Sequence, residues 1–316
     1  MNKLALAVTG ASGFVGRALL VLARREGIEV IGLVRSEKSG QAVTALGARA
    51  RVIPRLDAEP LAAALEGARA VVHLAMIGRE RKGETYEAVN VGGTRAVVDA
   101  ARRAGVPRVV LFSGLGVAHY GLTRRGTNRY FLSKLAAEVE LFRFGPHAVV
   151  FRPSYIVGPG DGLVTKLLKE MAAGEVVRIG DGRYRLQPIA VADAAAAVVA
   201  AVEKIPAGAG ARPHVFDLVG PEPVSFQSFL ERTAAAARAQ GRKASFQIRE
   251  VSIEEADRAA AGGSFRGMGP DDVDVLLCDE VSDPAPLAHL LGRRLTPLDE
   301  AVAAAVGGTT ADTGRA

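Results

Sequence analysis

The chain has 316 residues, 49% hydrophobic and 23% charged, with a mean hydropathy of +0.17; that suits about two domains, or one large α/β core with a lobe, and excludes a disordered chain. Forty Lys plus Arg against thirty-four Asp plus Glu leave a net charge of +6, most of it from 32 arginines, which raises the question of an anionic partner. One cysteine, Cys278, excludes an internal disulfide framework, no Cys/His spacing suits a metal, and no apolar run approaches the roughly 18 residues of a membrane span, so a cytoplasmic compartment is expected.

Apolar runs alternate with amphipathic stretches through the first half. Strands are predicted over residues 4–9, 30–34, 50–53, 70–74, 108–112 and 148–152, and helices over 16–25, 38–46, 60–66, 86–104 and 128–143. This βαβα order belongs to a parallel sheet covered by helices, and Val149-Val150-Phe151 is apolar enough for burial on both faces. Gly27, Gly105 and Gly145 follow helix ends, with Pro107 and Pro146 as stops. Past Pro153, Gly- and Pro-rich loops at 158–162, 180–182 and 220–223 separate shorter elements, including an Ala-rich helix near 192–202.

The first strand runs into Thr9-Gly10-Ala11-Ser12-Gly13-Phe14-Val15-Gly16, where three glycines precede a helix. Such a turn lets backbone approach a pyrophosphate, whose charge then faces free N–H groups at the helix N-terminus. With 36 glycines this spacing arises by chance about 0.5 times in such a chain, so its position after the first strand carries the specificity. The plain alternative is glycine chosen for tight packing. The second strand ends in Val34-Arg35-Ser36 without the carboxylate that would hold an adenosine ribose; Arg35 can instead pair with a 2′-phosphate, which points to NADP ahead of NAD. Arg35 as a solvated strand end is the competing reading.

Tyr130 and Lys134 stand four apart in a predicted helix, on one face. An ammonium beside a phenol favours the ionised form, which suits the phenol to proton transfer. With five Tyr and eight Lys, about 0.1 such pairs arise by chance.

These blocks, together with VVHLA at 71–75, NVGGTRAVVDAARRAGVPRVVLFSG at 90–114, RPSYIVGPGD at 152–161 and QPIAVAD at 187–193, stand in an order that resembles the short-chain dehydrogenase/reductase superfamily. The likeness is to its extended and atypical branches, the NAD(P)-dependent epimerase/dehydratase type, and within them to the group of the complex I dinucleotide-binding accessory subunit. It covers about residues 3–225 and implies a Rossmann-type doubly wound parallel sheet over residues 1–153, with core strands also drawn from 186–220, a smaller C-terminal substrate lobe over 154–306 and a tail over 307–316. It assigns Gly10, Ser12, Gly13 and Gly16 to the pyrophosphate loop, with Phe14 and Val15 adding backbone contacts. Leu74 and Ala75 fall beside the adenosine, and Pro153 and Ser154 beside the nicotinamide. Tyr130 becomes the acid/base and Lys134 the residue that holds the nicotinamide ribose and lowers the Tyr130 pKa.

The implied activity is hydride exchange with a carbonyl or alcohol substrate, sugar-nucleotide epimerisation or dehydration being the variant; a non-catalytic NADP(H)-binding accessory or regulatory protein is the alternative. Two departures stand out. The loop after the fifth strand reads Ser113-Gly114-Leu115-Gly116, so Ser113 is the one hydroxyl available for catalysis, and Asp57 in Arg55-Leu56-Asp57 is offset by one from the expected adenine contact. The five histidines are scattered, and His73, inside an apolar strand, reads as a hydrogen-bonded core imidazole. The pairs Arg24-Arg25 and Arg102-Arg103 suit helix C-termini, while Arg124-Arg125 is a candidate for a substrate or partner surface. Few aromatics and no nucleic-acid motif argue against nucleic acid; a small-molecule substrate is expected, with a peripheral membrane contact, a larger complex or an oligomer left open.

Overall fold

The computed structural model describes residues 5–118, 128–206, 208, 210–263 and 265–308. Its first half is built from β1 (Ala5–Thr9), α1 (Phe14–Glu26), β2 (Glu29–Val34), α2 (Glu37–Ala45), β3 (Arg49–Val52), α3 (Ala58–Ala64), β4 (Ala70–His73), α4 (Gly93–Arg103), β5 (Val109–Phe112), α5 (Arg129–Phe142) and β6 (Ala148–Pro153). The second half adds β7 (Ile156–Val157), α6 (Gly162–Ala173), β8 (Glu175–Ile179), β9 (Arg185–Leu186), β10 (Ile189–Ala190), α7 (Val191–Lys204), β11 (His214–Leu218) and β12 (Val224–Ser225). It ends with α8 (Phe226–Ala239), β13 (Gln247–Val251), α9 (Ile253–Ala261), α10 (Pro270–Leu277), α11 (Ala285–Leu291) and α12 (Leu298–Gly308).

Seven strands form one sheet in the order β11-β6-β5-β4-β1-β2-β3, every neighbour parallel. The strand order reverses between β1 and β4, and ligands of such sheets settle outside the carboxyl ends at that point. The central strands are apolar on both faces because helices cover both. Leu6, Val8, Val72, Val110 and Val149 bury on one side with α1 and α7; Ala7, Val71, Val109 and Val150 bury on the other with α4 and α5. A second apolar cluster, centred on Leu167, Met171, Phe229 and Val302, holds α6, α8 and α12 together beyond the sheet.

Two expectations shift. The helix expected over 86–104 begins with a π-helical stretch, Glu87–Gly92, and turns α-helical only from Gly93. The wider turn accompanies Asn90, whose amide bonds Ile77 and Ser133; such insertions collect at functional sites. Helix α3 starts at Ala58, before Pro60, which costs nothing in a first turn where N–H groups lack intrahelical partners. Arg124-Arg125 and residues 309–316 of the expected tail lie outside the described residues. Among the described residues no helix is long and apolar enough to cross a membrane, and no cluster of His, Cys, Asp or Glu could hold a metal.

Candidate active site

A cavity of about 870 Å³ lies along the carboxyl ends of β1 to β4, lined by Gly10, Ser12, Gly13, Arg35, Asp57, Leu74 and Ala75 among others. Gly10 has φ +69°, and a Cβ there would stand 2.8 Å from the Ala75 nitrogen; a Cβ on Gly16 would stand 2.5 Å from the carbonyl oxygens of Gly10 and Ala11. Only glycine lets the three segments meet. Gly13 caps α1 without a side-chain hydrogen bond, so the first N–H groups of α1 remain donors for an anion. Phe14 and Val15 form the first turn of α1 and are not part of the cavity lining. A dinucleotide fits this cradle: a glycine turn against a helix N-terminus at one end, and Asp57 with Leu74 at the other.

Arg35 already has a carboxylate partner. Its Nη1 donates to Glu84 Oε1 at 2.6 Å, and both residues line the cavity. Glu84 supplies from the loop after β4 the carboxylate that the end of β2 lacks.

Tyr130 and Lys134 on α5, Pro153 at the end of β6 and Ser154 just after it sit outside the lining of that cavity. Asn128 caps α5 by accepting from the Phe131 N–H at 3.0 Å, which fixes where the helix starts. Tyr130 and Lys134 then fall one turn apart, as the spacing implies. Their environment differs from the expectation. Lys134 is 1% exposed and its Nζ donates to the Phe112 carbonyl at 2.7 Å, with Met76 Sδ at 3.5 Å. Burial lowers its pKa to about 8, partly offset by Glu138. The Tyr130 phenol is pushed well above its ordinary value, first by burial and then by Glu280 and Tyr86. The expected lowering by Lys134 is therefore corrected: loss of hydration dominates, and the ammonium is engaged with a backbone carbonyl.

Ser113 also departs from its expected role. Its N–H donates to the Phe151 carbonyl at 2.7 Å, while its Oγ is enclosed by protein with no hydrogen-bond partner among the described residues. His73 is a core imidazole bonded to Thr9 Oγ1 at 2.7 Å, and burial lowers its pKa to about 3, with Lys134 adding to the shift.

Two residues that the motifs did not single out complete the site. Asn90 fastens the loop after β4 to α5 through Ile77 and Ser133; it opens the block 90–114, in Asn90-Val91-Gly92-Gly93. Glu280 is 6% exposed and lies 3.1 Å from Ser154 Oγ; no local pattern marks it. The segment carrying Glu280 is held across the site. Arg79 bonds the Gly267 carbonyl and pairs with Asp272 at 2.7 Å, and Asn128 Nδ2 donates to the Asp271 carbonyl at 3.0 Å.

A family model described as the NAD dependent epimerase/dehydratase family matches residues 6–217. The 4-hydroxy-2-methyl-3-oxo-4-farnesyl-3,4-dihydroquinoline-1-oxide ketoreductase of Stigmatella aurantiaca is 30% identical over 313 residues, 93% of this chain and 88% of that protein. Ceramide reductase of Caulobacter vibrioides is 32% identical over 203 residues, 62% of this chain and 60% of its own length. The mitochondrial NADH dehydrogenase (ubiquinone) 1 alpha subcomplex subunit 9 of Arabidopsis thaliana is 27% identical over 226 residues, 68% of this chain and 53% of its own length. The fold is shared with MoeE5 in complex with UDP-glucuronic acid and NAD, at a TM-score of 0.72 and 22% identity over 97% of this chain and 99% of that one. WbmH of Bordetella bronchiseptica, in complex with NAD+, matches with a TM-score of 0.71 and 20% identity over 99% of this chain and 100% of that one. NAD in these structures overturns the expectation of NADP, and Arg35, on which that expectation rested, is paired with Glu84.

Proposed function

The chain belongs to the NAD dependent epimerase/dehydratase family and is an oxidoreductase of that type, and on that premise we propose that it reduces a carbonyl group on a large, mostly apolar substrate with NADH. The observation that carries this reading is Tyr130 on α5, one turn from the buried Lys134, whose Nζ bonds the carbonyl at the end of β5 and meets Met76 of the cavity lining. The substrate class rests on the Stigmatella ketoreductase, named for a farnesylated ketone. It is supported by Met76, which lines the cavity and stands 3.5 Å from Lys134 Nζ.

Gly10, Ser12, Gly13 and the N-terminus of α1 would hold the pyrophosphate; Asp57, Leu74 and Ala75 would lie by the adenosine; Lys134 would hold the nicotinamide ribose, with Pro153 and Ser154 beside the nicotinamide. The bound dinucleotide supplies the hydride. Burial keeps the Tyr130 phenol protonated at neutral pH, so in the reducing direction it stands as the donor to an oxygen that becomes a far stronger base as it turns into an alkoxide. Lys134, anchored on Phe112, adds positive potential beside that oxygen.

The test is NADH oxidation with a panel of long-chain 3-oxo compounds. Tyr130→Phe is expected to lose about 100-fold or more in kcat while calorimetry shows NADH affinity within about twofold of wild type. Normal turnover by that variant removes Tyr130 from the chemistry. A second reading, a dinucleotide-binding accessory protein, is favoured by the enclosed Ser113 hydroxyl and by the Arabidopsis relative; it predicts recovery from gentle lysis within a larger assembly and no turnover with any of the panel. A cytoplasmic location and self-association through α4 and α5, where Leu132 and Val139 stand exposed seven residues apart, complete the proposal.

A further inference from the structure

Among the described residues of the loop after β5, 113–118, the one hydroxyl, Ser113 Oγ, is enclosed, and Gly114, Leu115 and Gly116 have none to offer. A carbonyl polarised by Tyr130 alone lacks the second donor that makes an oxyanion site effective. A candidate second donor comes from elsewhere in the chain. Glu280 comes from the C-terminal lobe, joined to the core by a parallel bridge to Leu186 and by its N–H bond to the Arg185 carbonyl at 2.8 Å. Its side chain is buried with that of Ser154, whose Oγ stands 3.1 Å from Glu280 Oε2 and accepts from the Gln187 N–H at 3.2 Å. Among the described residues no cation pairs with this carboxyl. Its charge pushes up the phenols of Tyr130 on α5 and Tyr155 after β6 and the thiol of Cys278 on its own segment, and at the start of α5 Asn128 Nδ2 donates to the Asp271 carbonyl, on the segment that leads to Glu280, at 3.0 Å.

A buried carboxylate without a cation is costly, whereas the neutral acid is a hydrogen-bond donor in an apolar setting. We propose that Glu280, in its protonated form and steadied by Ser154, is the second hydrogen-bond donor to the substrate oxygen, sharing it with Tyr130. With Oε2 accepting from Ser154, the proton sits on Oε1. Burial pushes the carboxyl up to about 7, against the opposing pull of the Ser154 hydrogen bond, so the acid form is substantially present at neutral pH. The step balances without a further reagent. The hydride adds to the carbonyl carbon, the C=O electron pair moves to oxygen, and the Tyr130 proton bonds to it. The phenolate regains a proton from solvent, and Glu280 ends with the proton it began with. A neutral carboxylic acid polarising a carbonyl in an apolar site is known chemistry in other enzymes.

This inference rests on the carbonyl-reductase reading, and its test separates the two. The probe is 2-dodecanone labelled with carbon-13 at the carbonyl, bound to the protein with NAD+ so that no hydride can be given. The infrared carbonyl band of the bound ketone is expected to lie at lower frequency in wild type at pH 6 than at pH 8.5. Glu280→Leu removes the shift, and Glu280→Gln, which keeps an N–H donor, retains most of it at both pH values. With NADH, kcat for the same ketone falls in wild type as pH rises through about 7, because the donor form is lost above its pKa. Glu280→Gln flattens that limb, and Glu280→Leu lowers kcat by about 100-fold at pH 6. A bound ketone whose band and pH profile are the same in wild type and Glu280→Leu overturns the role of Glu280 while leaving carbonyl reduction standing. No binding of the ketone and no turnover by wild type overturns both.

Discussion

Arg152 on β6 grips Glu138 on α5 through two hydrogen bonds, Nε to Oε1 at 3.0 Å and Nη2 to Oε2 at 2.6 Å. Glu138 is fully buried and lies one turn past Lys134, so the pair fixes the helix that carries Tyr130 against the strand that ends at Pro153 and Ser154.

Breaking this pair from one side strands a charge. Arg152→Leu is expected to cost about 3–5 kcal/mol in urea unfolding, and the double variant Arg152→Leu with Glu138→Leu less than Arg152→Leu alone, since replacing both charges removes the burial penalty as well as the attraction. A double variant as unstable as the sum of the singles contradicts this account.

Gly10→Ala places a methyl group against the Ala75 backbone at a φ of +69°. Stability is expected to fall by more than about 1 kcal/mol, and NADH affinity by about tenfold or more, because the loop can relieve the clash only by moving away from the pyrophosphate. Calorimetry with NADH and urea melts of the same sample check both.

Glu84→Gln removes the carboxylate that occupies Arg35. The ratio of NADPH to NADH affinity is expected to rise about tenfold at low salt and less at high salt, as a freed guanidinium gains an exposed phosphate partner. A ratio unaffected by the substitution means that Glu84 does not govern the choice.

His73 is buried neutral, with its pKa lowered from 6.5 to about 3. The unfolded chain therefore binds an extra proton between those values, and stability falls as pH drops from 6.5 toward 3. Between pH 6.5 and 4.5 this group alone accounts for about 2–3 kcal/mol. Urea midpoints across that range, compared with His73→Gln, are expected to show the smaller acid loss in the variant.

What the sequence revealed and what it concealed divide along the range of the interactions. The glycine turn and the start of α1 depend on residues within one turn of each other, so Gly10, Gly13 and Gly16 could be placed from spacing. The Tyr130 to Lys134 spacing fixes a shared helix and says nothing of the water removed from around both, which reverses the expected direction of the Tyr130 shift. Arg35 was open to misreading because its partner lies 49 residues on. Glu280, in Cys278-Asp279-Glu280-Val281, looks like surface until the lobe folds over β6.

Ser154 and Glu280 are 126 residues apart in the chain, whereas every residue lining the dinucleotide cavity lies between Thr9 and Asp99. Chains leave the ribosome N-terminus first. The residues that line the cavity thus leave the ribosome well before Glu280, while α1 behind the glycine turn waits for α7 to cover it.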